Sequence, residues 1–238
     1  MSNRHFDDSF IDDLGAVNPA SNYFTPVWDT VFEAGIKPRN ILDIGCGNGA
    51  FAVYAGQRTG AKLFGVDGSE YALSQAAERG YQRLKHIDDF SFDRIDWDDN
   101  SFDFCLSKDL LEHLIRPAMV MQEAYRVICK GGYFLVHVPN HFPLYGRLKF
   151  LLTNEIDTFS YFPGAPRWEF PHIRFFTRES LLDLAQKAGF EIQLDLSYHF
   201  PAFPGMAKIP FGLKIGRRLA QKFPSQFSEA FTLLLRKP

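Results

Sequence analysis

The residues with the plainest chemical promise are Asp43, Gly45, Gly47, Gly49 and Asp67. They lie in ILDIGCGNGAFAVYAGQRTGAKLFGVD, residues 41–67. Glycines at alternate positions let a backbone turn tightly and let a ligand approach its N–H groups. Asp67 stands twenty residues beyond Gly47, and a carboxylate at that spacing can accept hydrogen bonds from both hydroxyls of a ribose. The elements that must position these groups follow directly. Ile41 to Ile44 reads as a short buried strand, and Gly45-Cys46-Gly47-Asn48-Gly49 as a turn. An apolar helix is expected from about Ala50, its N-terminus adding unpaired donors and a positive dipole end. Leu63 to Val66 is a second strand that ends on Asp67. The unit is an adenosine-binding site.

Two cofactor classes share this plan. Gly45-x-Gly47-x-x-Ala50 satisfies the dinucleotide fingerprint and points to an NAD(P)-dependent or flavin oxidoreductase. Asp43 points elsewhere, because an acid at the end of the first strand suits an ammonium group and repels a pyrophosphate. S-adenosylmethionine carries an α-ammonium and no phosphate, so Asp43 favours the methyl donor. A loop-capping carboxylate is the plain alternative for Asp43. A non-catalytic protein that binds an adenosine cofactor would keep Asp67 as well. The oxidoreductase reading needs a Tyr-x-x-x-Lys pair or another hydride-transfer acid, and the sequence offers none.

The chain resembles the class I S-adenosylmethionine-dependent methyltransferases of the bacterial small-molecule type, over roughly residues 36–198. Beyond the glycine turn, the resemblance rests on Val66-Asp67-Gly68-Ser69-Glu70, on Asp98 to Asp103, and on Ser107 to Leu114, SKDLLEHL. It continues through Tyr125 to Gly132 and through His172 to Phe190, in the family's order. Gly68 departs from the pattern, since the family usually places an apolar side chain there against adenine. The resemblance implies S-adenosylmethionine as cofactor. It also implies a doubly wound α/β fold: a mostly parallel seven-stranded sheet with the last strand antiparallel and helices on both faces.

In such open sheets the ligand sits beyond the carboxyl ends of the strands, at the switch in strand order. The cofactor candidates are then Asp43, Gly45, Cys46, Gly47 and Gly49 around strand one, and Asp67 and Gly68 after strand two. Asp89 and Phe90 follow strand three, and Ser107 and Lys108 follow strand four. By resemblance an acid after strand three accepts the adenine amino group, and Asp89 is preferred to Asp88. A solvated acidic loop is the plain alternative there. Asn140 and His141 follow strand five and face the acceptor.

A sulfonium is already a strong methyl electrophile, so the cofactor carries the difficult chemistry. The protein must hold a nucleophile in line with the methyl group, an effect that can supply ~7–11 kcal/mol. An alcohol nucleophile also gains from a general base, most often His. His141 and His113 are the candidates, each with the plain alternative of a ring that bonds nearby backbone. Glu112-His113 by itself is no metal site, because no further ligand stands at helical spacing, and no metal is expected.

Composition limits the other classes. A chain of 238 residues allows one good-sized domain, or a domain with a cap. A formal net charge of −2 provides no field for nucleic acid. Cys46, Cys105 and Cys129 are scattered and form no CxxC pair, which suits reduced thiols in a cytoplasm. No apolar run reaches membrane-spanning length, and MSNRHFDDSFIDDLG lacks a signal-peptide core. A cytoplasmic enzyme with no obligate protein partner is expected.

The remaining elements are placed in order. Residues 1–20 read as an acidic arm, and 21–140 as the cofactor-binding half. Thr25 is expected to cap a helix that runs from Pro26 to about Ala34, with Val27, Val31 and Ala34 inward. Glu70 to Arg79 is a second helix and Arg83 to Ile87 a third strand; Phe102 to Leu106 is the fourth. A helix from Pro117 buries Val120, Ala124, Val127 and Ile128, and Lys130-Gly131 is expected to close it. Tyr133 to Val138 is the fifth strand. Residues 141–176 form an insertion rich in aromatics and proline, read as a substrate lid, with a small accessory core packed on the sheet as the plain alternative. Tyr145 and Trp168 within it, and Asn140 just before it, are the acceptor-binding candidates; its aromatics suit a small-molecule or glycan-like acceptor, and methylation at oxygen is expected. Thr177 caps the helix that opens the C-terminal half, 177–238. Residues 208–223, KIPFGLKIGRRLAQKF, mix basic and apolar residues. That pattern leaves open a peripheral contact with an anionic membrane, beside the plainer reading of a helix that covers the sheet.

Overall fold

Apolar strands alternating with amphipathic helices require a parallel sheet covered on both faces. The computed structural model, which describes residues 23–154, 171–202 and 211–238, has that form. Strands β1 (Asn40–Ile44), β2 (Lys62–Asp67), β3 (Arg83–His86), β4 (Phe102–Lys108), β5 (Ile128–Pro139), β6 (Glu191–Asp195) and β7 (Ala230–Arg236) make one sheet. Its order is β3-β2-β1-β4-β5-β7-β6. Pairings from β3 across to β5 are parallel, and β7 runs antiparallel to both β5 and β6. The order reverses between β1 and β4, so the loops leaving those two strands diverge and open a crevice beyond their carboxyl ends.

Strand alternation divides the core into two layers. Leu42, Ile44, Cys105, Val136 and Val138 face one side, against α4 (Pro117–Val127) and α6 (Arg178–Lys187), through Val120, Ala124, Leu181 and Ala185. Ile41, Leu63, Phe104, Leu106 and Leu135 face the other side. There they meet α1 (Thr25–Glu33), α2 (Val53–Thr59) and α3 (Glu70–Glu78), through Val27, Trp28, Val31, Ala55, Leu73 and Ala76. Thr177 caps α6 as expected, in a reciprocal box with Ser180.

Several local expectations are corrected. Phe24, not Thr25, is the residue before α1, and it offers no side-chain cap. Ala34 lies exposed past the end of that helix, and Trp28 takes the inward place instead, being large enough to reach Phe104. Residues 50–52 form a turn, so α2 starts at Val53 and not at Ala50. Ile128 already belongs to β5, which is longer than expected. Gly131 does not close a helix. Its positive φ of 80° lies within the strand, where its N–H donates to Lys237 O and the β4–β5 register shifts.

Arg126 fastens the loop before β4. Its guanidinium donates to the Glu123 carboxylate, to the carbonyls of Ile95 and Trp97, and to Asp99, at 2.7–2.8 Å. Ile95 N–H returns a bond to Glu123. Of the insertion, α5 (Leu144–Thr153) is described, with Leu151 and Leu152 exposed. Near the C-terminus, α7 (Gly212–Lys222) buries only the small face of Gly212, Gly216 and Ala220. Its Leu213 and Ile215 remain exposed beside Lys214, Arg217 and Arg218, and α8 (Pro224–Phe227) leads into β7. The acidic arm of residues 1–20, Trp168, and residues 208–210 of the basic stretch lie outside the described residues. Among the described residues, no helix is long and apolar enough to cross a membrane.

Candidate active site

Loop 45–49 leaves β1 with Gly45, Gly47 and Gly49 all at positive φ, a backbone that glycine adopts without strain. A side chain at Gly49 would also strike the Tyr81 ring at 2.5 Å, whereas nothing lies within 4 Å of a side chain built at Gly47. The loop's N–H groups are largely used within the protein. Gly45 and Cys46 donate to Val66 O at 2.8 and 3.1 Å, and Gly49 donates to Cys46 O. Gly47 donates to the Asp67 carboxylate at 2.7 Å. The expected open cradle of donors is therefore absent from these four positions, and α2 begins too late to add its own.

Two carboxylates flank this loop. Asp67 accepts from Gly47 N–H and, on its other oxygen, from Ser69 N–H at 2.9 Å. Burial raises its pKa, and backbone N–H groups of Gly47, Ser69 and Gly68 pull it back. Asp43 is more deeply placed, and Tyr81 Oη donates to it at 2.7 Å. Burial lifts the Asp43 carboxyl to about 7, while the Tyr81 bond opposes the rise and Asp67 adds to it. Cys46 is buried, and burial drives its thiol well above the ordinary value. It remains a thiol at neutral pH, and its small size accounts for its presence in the turn.

Next in the crevice come the ends of β2, β3 and β4. Gly68 is exposed, and a β-carbon added there would meet Ile87 O at 3.4 Å, so the position offers no side chain of its own. Asp89 is half-buried and accepts from Ser91 N–H at 2.7 Å; Asp88 is exposed beside His86. Phe90 is buried in the core next to them. Ser107 is buried, and its hydroxyl has no hydrogen-bond partner among the described residues. Lys108 turns its ammonium onto Asp109, 4.1 Å from the centre of the Phe51 ring. Burial alone would lower that ammonium's pKa, but Asp109 and the Tyr23 phenol raise it beyond the ordinary lysine value.

The sequence reading did not single out the partners Asp109 and His137. His137 Nε2 lies 3.4 Å from Asp109, and its Nδ1 is 2.7 Å from Thr232 Oγ1. Burial lowers His137 to about 3, so the ring is neutral at pH 7. Asp109 adopts φ 51°, a left-handed conformation uncommon outside glycine.

At the acceptor end the residues divide. Asn140 is buried, and its side chain is spent on fastening: its amide donates to Ser228 O at 2.8 Å and its carbonyl accepts from Phe142 N–H. These bonds occupy the side chain that the sequence points toward the acceptor. Tyr145 is half-exposed on α5. His141 and His113 come together around a residue the sequence reading passed over, His172. His141 Nε2 lies 2.6 Å from His172 Nδ1, and the His113 and His172 rings stand edge to face at 4.7 Å. Phe142 and Phe175 pack over His141. Burial lowers His141 to about 4 and His172 to about 3, and His113 adds to both shifts.

Beneath this cluster Glu112 is fully buried, and neither carboxylate oxygen has a hydrogen-bond partner among the described residues. His172 reaches the site because Ile173 and Arg174 N–H donate to Glu112 O at 2.9 and 3.0 Å, pinning the returning segment to the turn after β4. Sequence spacing alone had suggested no companion ligand for Glu112-His113, yet the fold brings His172 to them from the other side of the insertion.

Residues 21–194 match the family model described as "Methyltransferase domain". The chain is 30% identical to the sterol 24-C-methyltransferase of Kluyveromyces lactis over 113 residues, 44% of this chain and 30% of that protein. It therefore spans under a third of the length of that relative. It is 25% identical to the ubiquinone biosynthesis O-methyltransferase of Aeromonas salmonicida over 190 residues, 76% of this chain and 75% of that one. Among solved structures, a methyltransferase from Thermotoga maritima superposes with a TM-score of 0.56 at 22% identity. That superposition covers 90% of this chain and 89% of the other and shows the shared fold.

Proposed function

Because the chain belongs to the methyltransferase-domain family, we propose that it transfers the methyl group of S-adenosylmethionine to an oxygen of a small-molecule or glycan-like acceptor. One observation carries the choice of cofactor. The N–H groups of Gly45, Cys46, Gly47 and Gly49 are already donated to Val66 O, Asp67 and Cys46 O, and two carboxylates border the turn. A pyrophosphate would meet negative charge and find those donors taken. A ribose and an ammonium would meet acceptors. Asp67 bonds the ribose hydroxyls, and Asp43 attracts the ammonium of the methionine part. Asp89 and the Phe90 backbone take the adenine edge. Ser107 and Lys108 border the methionine part from β4.

The bound cofactor would supply the methyl electrophile. The protein's task is to orient the acceptor in line with the methyl group, shield the reacting atoms from bulk water and assist removal of the acceptor's proton. Phe142, Tyr145 and Phe175 offer apolar and aromatic surface at the end of β5, and His141 and His113 face the same place. The curated relatives, a sterol 24-C-methyltransferase and a ubiquinone biosynthesis O-methyltransferase, are consistent with an acceptor that has apolar surface. The test is transfer of a tritiated methyl group from S-adenosylmethionine to a panel of hydroxylated aromatic and glycosidic acceptors. Label in the acceptor pool above an Asp67→Ala control is expected. Intact cofactor binding with no label in any acceptor would favour a non-catalytic binding protein.

A further inference from the structure

The acceptor end holds a feature that methyl transfer does not by itself explain. Glu112 is fully buried with two oxygens that lack hydrogen-bond partners among the described residues, a costly arrangement that demands a cause. One ligand atom each from Glu112, His113 and His172 lies within 4.8 Å of the others. His113 Nε2 is 3.9 Å from Glu112 Oε1. Its Nδ1 donates to Pro171 O at 3.3 Å, which fixes the tautomer and turns the Nε2 lone pair toward Glu112. His141 orients the His172 ring through the 2.6 Å contact between them. A carbonyl and a second imidazole acting on ligand rings in this way is the outer-shell pattern of a metal site.

We propose that Glu112, His113 and His172 bind a divalent transition-metal cation, with coordination positions left open toward the acceptor. Two imidazoles and a carboxylate, without thiolate, suit Zn²⁺, Fe²⁺ or Mn²⁺ better than Mg²⁺ or Ca²⁺. Metal–ligand bonds of about 2.0–2.2 Å set ligand atoms roughly 3–4 Å apart, so the three side chains close inward by under about an ångström on binding. The cation supplies the partner that the Glu112 oxygens lack among the described residues, and His141 becomes a positioning residue for His172.

The use of the cation rests on the methyltransferase reading. The open positions take the acceptor's oxygen, and the cation favours loss of its proton to water. The oxygen's electron pair then forms the bond to the methyl carbon, and the carbon–sulfur pair returns to sulfur. This assigns the acceptor to molecules with a hydroxyl that can coordinate.

Chelator-stripped full-length protein, titrated calorimetrically with zinc chloride and with manganese chloride, tests the site. Cobalt substitution followed by its visible absorption reports on the ligands. One equivalent should bind, and Glu112→Gln and His172→Ala should each weaken binding by about 100-fold or more. S-adenosylhomocysteine is titrated into the same samples as a check on folding, and the near-isosteric Glu112→Gln decides if His172→Ala fails to fold. No binding to the wild type, or equal binding to wild type and Glu112→Gln, overturns the proposal. Cation binding without S-adenosylhomocysteine binding would sink the methyltransferase reading and leave the cation site standing.

Discussion

Replacing Asp67 by alanine removes the carboxylate on which the cofactor reading depends. A hydrogen bond to an ionised group contributes about 1.5–3 kcal/mol. Two ribose hydroxyls would thus set a ceiling of roughly 3–6 kcal/mol on the loss. Asp67 already accepts from Gly47 and Ser69, so its charge is shared, and the lower end applies. About 3 kcal/mol corresponds to roughly a hundredfold loss of affinity, and at least a tenfold loss is expected. Titration calorimetry with S-adenosylhomocysteine measures it. Loss of the Gly47 brace also loosens the loop, so a second ligand separates the two effects. An analogue without the ribose hydroxyls should bind the wild type as weakly as the variant binds the parent compound, and the variant should not discriminate between them. Unchanged affinity in Asp67→Ala, or wild type indifferent to the hydroxyls, would refute the placement of the ribose.

Three further outcomes are expected. Asp43 stands at about 7 when folded, against an ordinary 3.8, among Tyr81, Asp67, Lys108 and the Cys46 thiol. The folded protein holds its proton between those values and the unfolded chain does not, so this group's contribution to stability falls as pH rises from about 4 to 7 and is flat above. An ammonium ligand should draw the carboxyl down, so S-adenosylhomocysteine should release a proton at pH 6 in the wild type and none in Asp43→Asn; equal release, measured by calorimetry in two buffers, contradicts the contact. Gly49→Ala places a methyl group against Tyr81 at a positive φ, and should lower both the melting temperature and cofactor affinity, with an unaltered melting curve counting against the loop geometry. Arg126→Met should reduce stability by roughly 2–4 kcal/mol in urea unfolding by stranding Glu123 and two carbonyls, and a change under about 0.5 kcal/mol would show that network to be dispensable.

What the sequence made legible was local. The glycine turn, the acid closing β2 and the Thr177 cap each depend on residues within a few positions of one another, and each stands where expected. The end of α4 was misplaced because Lys130-Gly131 carries the chemistry of a helix cap, while pairing with β4 and with Lys237 draws the backbone into a strand. Tyr81 on Asp43 and His172 on His141 join residues 38 and 31 positions apart, and no spacing rule announces such contacts. His137 read as one more position of a buried strand, and only the sheet order places it against Thr232 of β7. Asn140 looked like an acceptor contact from its place after β5, but the return of residues 225–228 supplies carbonyls that occupy its amide.

The central claim is that the crevice between the ends of β1 and β4 takes S-adenosylmethionine and not a dinucleotide. Side-by-side calorimetric titration of the purified protein with S-adenosylhomocysteine and with NADH tests it most directly. Saturable one-to-one binding of S-adenosylhomocysteine, with no heat from NADH, is the predicted result. Saturable binding of NADH with none of S-adenosylhomocysteine would contradict the account.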